Sequence, residues 1–505
     1  MKFFLCISFF MLGELFGKSC TGCGTVPYPT SYSTPSPIID SDQVWTFVTE
    51  PGLHPMKVQI NLFDHYLTSE GLIFLAPYGF SSDASYGQSG SLIMDSEGNP
   101  IWFRPLSSPN LMNTDFRVQR YKGKPVLTFW QGTLATPPAY TNLPAGSSEP
   151  GSCYYILNQH YKIIKNVTAR LGYISDIHEF LITPDNTALL LSTKVVPMDL
   201  TAYGGPQDGY VQDFAIQEVD LKTDKLIFVW KALDHIPLSA SYVSASSSTV
   251  WDAYHLNSIG LTDDEDDIIV SSRNCSTIYR INKPTHKIIW ELGGKTSDFS
   301  IESGGEFSWQ HDARFLANNI VSMFDDNSDG SGDPEPPSHG LMLQLNYQTM
   351  TANVYHTYFH DPSLSSSSQG NLQSLPNGSK FVGWGQSPYF SEFTRAGTFI
   401  YDAQMPSTNY SYRAYKNCWK GKPCYSPKIA IVDNSVYASW NGSTETRFWK
   451  LYAGRCPKNL KCVARVSKEG FETKIETSNP GPYYQVKALN AKGKIIGKSK
   501  IIHTE

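Results

Sequence analysis

The sequence has no excess of basic residues, only one notable apolar run and no complete phosphate- or metal-binding motif. Its 41 Lys and Arg face 46 Asp and Glu, a formal net charge of −5. That balance gives no basis for a nucleic-acid partner. The apolar run is Phe3 to Phe16, behind Lys2. It is too short to span a bilayer and reads as a secretory signal peptide over residues 1–19. No later run is long enough to cross, so no membrane span is expected after cleavage. Asp325-Asp326-Asn327-Ser328-Asp329-Gly330 begins like a calcium loop, but Pro336 stands at the twelfth position, where a glutamate is needed. Gly293-Gly294 follows a strand as a turn, without the context of a phosphate loop. Neither a metal nor a cofactor is expected.

Cysteine is sparse, at nine residues. Cys6 leaves with the signal. An even number remains, which in a secreted chain predicts disulfides. Cys418/Cys424 and Cys456/Cys462 are spaced for local loops, with Cys20/Cys23 and Cys153/Cys275 as the remainder. The Cys-x-x-Cys at 20–23 sits in a Gly/Ser/Thr-rich terminus with no fold around it. Sequons at Asn166, Asn274, Asn377, Asn409 and Asn441 suit a secreted, extracellular glycoprotein with N-glycans.

Aromatic residues make up 13% of the chain, with 38 Gly and 32 Pro. That mixture predicts an all-β protein rich in turns. At 505 residues the chain is too long for one core. One pattern recurs along it. A polar cluster opens a strand, a tight turn follows, and an apolar strand returns. Residues 176–194 carry it around His178, 251–273 around His255, 309–324 around His311 and 370–385 around Asn371. Weaker copies begin at Leu67 and at Phe116-Arg117. About six copies lie roughly sixty residues apart, which marks a repeat architecture. A second hairpin follows each one, as in Ile278 to Trp290. Four strands per repeat is one propeller blade. A six-bladed β-propeller is therefore predicted over 45–405, after an extended arm at 20–44.

Residues 406–427 read as a Cys-containing linker. From 428 to 505 the strands are short, at sandwich spacing. Their pattern is similar to a fibronectin-III/Ig-like β-sandwich, with a stabilising or spacing role.

In a propeller the first strand of each blade lines the channel, so Arg117, His178, His255, His311 and Asn371 converge at one end. His255 and Arg273 also share one end of a hairpin, by period-2 geometry. Imidazole beside guanidinium suits an anion. Three histidines are also a metal pattern, but a channel-facing Arg273 disfavours a cation. His235, His286, His339 and His360 read as solvated loop residues.

Four motifs now lie in order at blade spacing. They are His255-Leu256-Asn257-Ser258, Ser271-Ser272-Arg273, Ile289 to Lys295 and Trp309-Gln310-His311-Asp312-Ala313-Arg314. Together they resemble the arylsulfotransferase family, and its secreted, fungal-type branch most closely, over roughly residues 70–405. The resemblance implies a six-bladed propeller with the active site in its channel. It implies His311 of the Gln-His motif as the nucleophile that takes the sulfuryl group covalently. It matches His178, His255, Asn257 and Arg273 to positions that hold the sulfate. Asn371 and Arg117 are added as substrate-binding from their strand-entry positions. The chemistry is self-consistent. A neutral imidazole splits a difficult transfer into two displacements, and Arg273 stabilises charge gathering on the sulfuryl oxygens. A histidine can protonate the leaving phenoxide and later deprotonate the acceptor. The implied partners are a small aryl sulfate and a phenol. The alternative is a non-catalytic propeller that binds a small ligand or glycan.

Overall fold

The computed structural model describes residues 38–504, apart from 41, 80–84, 109–110, 135–146, 246–249, 263–264, 332–335, 434 and 479–480. The expected signal peptide, most of the arm, and Cys6, Cys20 and Cys23 lie outside the described residues. Within them the protein is all-β, built of mainly antiparallel sheets with short 3-10 turns and no α-helix. No helix among them is long and apolar enough to cross a membrane.

Six sheets follow one another between residues 59 and 417. The second pairs Met112–Tyr121, Lys124–Gly132, Cys153–Leu157 and Ile163–Val167 in sequence order. The third runs Ile174–Ile182, Thr187–Met198, Gly209–Asp220 and Leu226–Lys231. The fourth runs Leu256–Leu261, Asp267–Ser272, Thr277–Asn282 and Ile288–Gly293. The fifth runs His311–Leu316, Ile320–Asp325, His339–Asn346 and Thr351–Phe359. The sixth runs Asn371–Ser374, Lys380–Gly383, Tyr389–Phe393 and Phe399–Gln404, and Gln59–Phe63 adds a fifth strand at its edge.

The first sheet joins two distant parts of the chain. Leu72–Leu75, Gly90–Met94 and Pro100–Pro105 come from the amino-terminal side. Its remaining strand, Tyr415–Asn417, pairs with Leu72–Leu75 from the other end. Residues 406–427 are thus not simply a linker, because they carry this strand. The opening strands are neighbours in succession. Met112–Tyr121 packs on Ile174–Ile182, which packs on Leu256–Leu261, then His311–Leu316, then Asn371–Ser374. Tyr415–Asn417 contacts both Lys380–Gly383 and Met112–Tyr121.

Local chemistry sets the hairpins. Tyr121 and Lys124 pair directly across a two-residue turn. Its residues, Lys122 and Gly123, have φ of 50° and 69°, as a type I′ turn requires. Second strands are apolar on both faces, because neighbouring sheets cover both sides. Ile268, Ile269 and Val270 are all fully buried. Each such side chain contributes roughly 1.5–3 kcal/mol on leaving water.

The carboxy-terminal part forms two further sheets. One orders Lys428–Val432, Ser435–Ser439 and Glu472–Glu476. The other orders Lys461–Ser467, Phe448–Gly454, Tyr483–Leu489 and Ile495–Lys498. They meet the first sheet through a buried contact at Phe103 and the segment before it through contacts at Val48 and Thr49. The Asn441 amide accepts from Phe103 N and donates to Phe103 O, both at 2.9 Å. Glu472 accepts from Val48 N at 3.0 Å and Thr49 N at 2.6 Å.

Several expectations need correction. Cys153, Cys275, Cys418, Cys456 and Cys462 are free thiols. Cys153 opens a strand of the second sheet while Cys275 follows one of the fourth. Cys462 pairs with Tyr452 in a ladder, and Cys456 lies beyond that strand in the turn. Asn274, Asn409 and Asn441 are buried and their amides hold backbone groups, so none presents a glycan acceptor. Asn166 and Asn377 are exposed. His339 and His360 are buried rather than solvated. His360 bonds Asp402 at 3.1 Å beneath Trp384, Tyr389 and Phe399.

Candidate active site

β-bulges shape the end of the sheets where the histidines lie. Leu256 pairs with Ser272 while Ser258 pairs with Ser271, leaving Asn257 as the extra residue. His311 pairs with Phe324 and Arg314 with Ser322, so two residues oppose one. Thr114 and Arg117 repeat this in the second sheet. Such bulges re-aim side chains and backbone groups. His255 and Asp312 sit at φ of 49° and 56°, left-handed values that cost non-glycine residues on the order of 1 kcal/mol or more.

This end holds a cavity of about 360 Å³. His178, His255, Arg273 and His311 all line it, together with Tyr412 and Gln369. Met112, Ile177 and Phe214 give it an apolar side. The His178 and His255 rings meet edge to face at 4.8 Å, and His178 meets Tyr412 at 5.5 Å. His311 is only 1% exposed, whereas the His255 side chain is 28% exposed.

Each histidine turns Nδ1 toward a carboxylate. His178 lies 2.5 Å from Asp176 Oδ1, His255 2.6 Å from Asp252 Oδ2, and His311 2.6 Å from Asp326 Oδ2. Asp176 and Asp252 stand two and three residues before their histidines, a signal present in the sequence but not used there. Asp326 comes from just past the end of the neighbouring strand Ile320–Asp325. Burial holds the His311 imidazole well below its ordinary range, and the charge of Arg273 adds to this. Burial also lowers His178, with Asp176 acting in the opposite direction.

Arg273 is the one Lys or Arg among the described residues that line the cavity. Its guanidinium donates to Asn274 Oδ1 and to Ser367 O, both at 3.1 Å, and lies 4.9 Å over the Trp309 ring. Its Nε is buried and has no partner. Burial lowers its pKa, and Asp326, Asp252 and Asp329 pull the other way. A half-buried guanidinium with an unused Nε donor is suited to a tetrahedral anion.

The structure does not bring Asn257, Asn371 or Arg117 into this cavity. The Asn257 amide donates to Gln310 O at 2.8 Å. The backbone carbonyl of Asn257 accepts from Tyr412 Oη at 3.2 Å and Arg413 at 3.0 Å, and its side-chain Oδ1 is buried without a hydrogen bond. Asn371 closes both its polar ends on Ala414 at 2.9 Å. Arg117 pairs with Glu179 and lines a different cavity with Asp312 and Arg314. For Asn371 and Arg117, position at a strand entry does not fix the face on which a side chain emerges.

Beneath the histidines lies a buried charge cluster missed in the sequence. Arg413, fully buried, bonds Asp115 at 2.9 Å and Glu179 at 3.1 Å. Arg314 bonds Glu179 at 2.6 Å. Arg413 also sits 5.0 Å over the Tyr412 ring. The cluster thereby holds Tyr412 against the histidines. Among the described residues no group of three His, Cys, Asp or Glu side chains could hold a metal ion.

A family model of arylsulfotransferases (ASST) matches residues 117–405, more than half of the chain. The chain belongs to the arylsulfotransferase family. The matched span contains His178, His255, Arg273 and His311. No curated protein matches the chain. Solved structures give only distant likenesses. A Bacteroides caccae protein of unknown function is 11% identical with a TM-score of 0.41, covering 69% of this chain and 99% of its own. A virginiamycin B lyase from Staphylococcus aureus is 9% identical with a TM-score of 0.35, covering 77% and 97%. These scores are too low to carry an inference, so the reading of this arylsulfotransferase family member rests on its own site.

Proposed function

We propose that this chain transfers a sulfuryl group from an aryl sulfate to a phenolic acceptor through a sulfohistidine at His311. Supporting it, the six successive sheets and the strand Tyr415–Asn417 that joins the ends of the series suit a six-bladed propeller. The two last sheets suit a small Ig-like sandwich. The run Phe3 to Phe16 supports entry into the secretory pathway, the setting of the secreted, fungal-type branch.

The observation that carries the reading is the meeting of His311 and Arg273 in one cavity with His178 and His255. Imidazole Nε2 attacks sulfur while the aryl oxygen departs with the S–O electron pair. Arg273 takes up charge on the sulfuryl oxygens. His255, the most exposed of the three, is placed to protonate the leaving oxygen and later to deprotonate the acceptor. The apolar side formed by Met112, Ile177 and Phe214 suits an aryl ring.

A second reading, a non-catalytic propeller that binds a small ligand or glycan, is favoured by one observation. His311 is almost wholly buried, and its Nε2 already meets the Gln369 backbone N–H at 3.2 Å. Incubating purified protein with a chromogenic aryl sulfate, with and without phenol, separates the two. Phenol-dependent release of the chromophore supports transfer. No release under either condition puts the binding reading first.

A further inference from the structure

His311 is held between two groups with opposite hydrogen-bonding character. On one side the backbone N–H of Gln369 points at Nε2 at 3.2 Å. A backbone N–H can only donate, so Nε2 must offer its lone pair. On the other side Asp326 Oδ2 lies 2.6 Å from Nδ1. The ring is neutral, so its one proton sits on Nδ1 and is donated to Asp326 Oδ2. A protonated Asp326 donating to Nδ1 would put the ring proton on Nε2, directly against the Gln369 N–H. Burial and the neighbouring Asp325 push the Asp326 carboxyl well upward and Arg273 opposes this, while the clash of two donors at Nε2 fixes the ring proton on Nδ1 whatever the charge of Asp326.

We infer that Asp326 is the positioning residue of the reaction. It fixes the tautomer that leaves Nε2 nucleophilic and neutralises the cation formed when sulfur is attached. The inference rests on the sulfuryl-transfer reading for its consequence, though not for its geometry. In the step itself the Nε2 lone pair forms the N–S bond. The S–O bond to the aryl group breaks, and its electron pair leaves on the aryl oxygen. The ring keeps its Nδ1 proton and becomes cationic, which favours the ionised form of the Asp326 carboxyl 2.6 Å away. Asp326 is itself fully buried just past the end of the strand beside His311, so water cannot replace it. The Gln369 N–H gives up Nε2 as sulfur arrives and is left beside the incoming sulfuryl oxygens.

The test has two arms. Nitrogen-15 NMR of the histidines in the full chain reads the His311 tautomer directly. The wild type is expected to show Nδ1 protonated and Nε2 bare, and a proton on Nε2 overturns the inference. Asp326→Asn is expected to lower kcat on an aryl sulfate by on the order of 10³- to 10⁴-fold, as loss of the orienting carboxylate does in a Ser-His-Asp triad. KM should change little. Asp326→Glu should recover part of the rate. Unchanged kcat in Asp326→Asn overturns the inference. If Asp326→Asn does not fold, the wild-type spectrum still decides. If the spectrum is as expected but the wild type turns over no aryl sulfate, the positioning stands and the transfer reading falls.

Discussion

Asp325 and Asp326 are neighbours in sequence, yet they face different histidines. Asp326 lies 2.6 Å from Nδ1 of His311, and Asp325 lies 3.9 Å from Nδ1 of His339. Alternation along an extended strand produces the divergence. Asp325 also accepts from Ser308 N at 3.0 Å and Asn327 N at 3.1 Å, while its Oδ2 is buried without a hydrogen bond. These six residues therefore form no calcium loop: the first carboxylate anchors backbone and the second serves a histidine.

That burial sets a pH dependence. Burial raises the Asp325 carboxyl to about 7, against an ordinary 3.8. The folded protein thus binds a proton that the unfolded chain has already released. Stability from this group is full below the ordinary value and is lost as pH rises through about 7. Asp325→Asn should accordingly gain stability relative to wild type on going from about pH 5 to about pH 8. Urea unfolding at the two pH values measures it. A difference that does not grow with pH refutes the assignment.

Arg413→Met should be severely destabilising. It leaves Asp115 and Glu179 with less positive charge in a fully buried cluster, at a cost of about 3–5 kcal/mol. The midpoint of urea unfolding measures this. A loss under about 1 kcal/mol would mean that Arg117 and Arg314 suffice to hold the cluster.

Much of the site was legible because motif and periodicity coincide at His178, His255, Arg273 and His311. Asn371 and Arg117 were placed by strand entry, Asn257 by the resemblance. Strand-entry position gives the end of a sheet but not the face. A bulge at Asn257 shifts register by one residue, so its amide goes to Gln310 O instead of the cavity. The buried arginines were illegible for another reason. Arg413 lies in a stretch that reads as linker, and only the pairing of Tyr415–Asn417 with Leu72–Leu75 carries it inward. Sequons misled similarly, since Asn441 uses its amide as a backbone mimic against Phe103.

Arg273→Lys tests the guanidinium. Lysine keeps the charge but cannot reach Asn274 Oδ1 and Ser367 O while also holding two sulfate oxygens. The expected loss in kcat/KM on an aryl sulfate is about 10²-fold or more. Steady-state kinetics measure it. Wild-type kinetics in Arg273→Lys would show that charge alone suffices.

His311→Ala should abolish transfer and also weaken the fold. The ring is 1% exposed and its loss strands Asp326, costing about 1–3 kcal/mol. Denaturant unfolding and turnover are both measured. Full stability, or turnover at the wild-type rate, contradicts the placement of this ring.

The most direct test of the whole account is reaction with donor alone. Protein stalled with an aryl sulfate and no phenol, then digested and mapped by mass, should carry one sulfuryl group on the peptide containing His311. The adduct should be labile to acid, and added phenol should discharge it. A sulfuryl group on the His178 or His255 peptide, or turnover with no adduct on any histidine, would contradict the account.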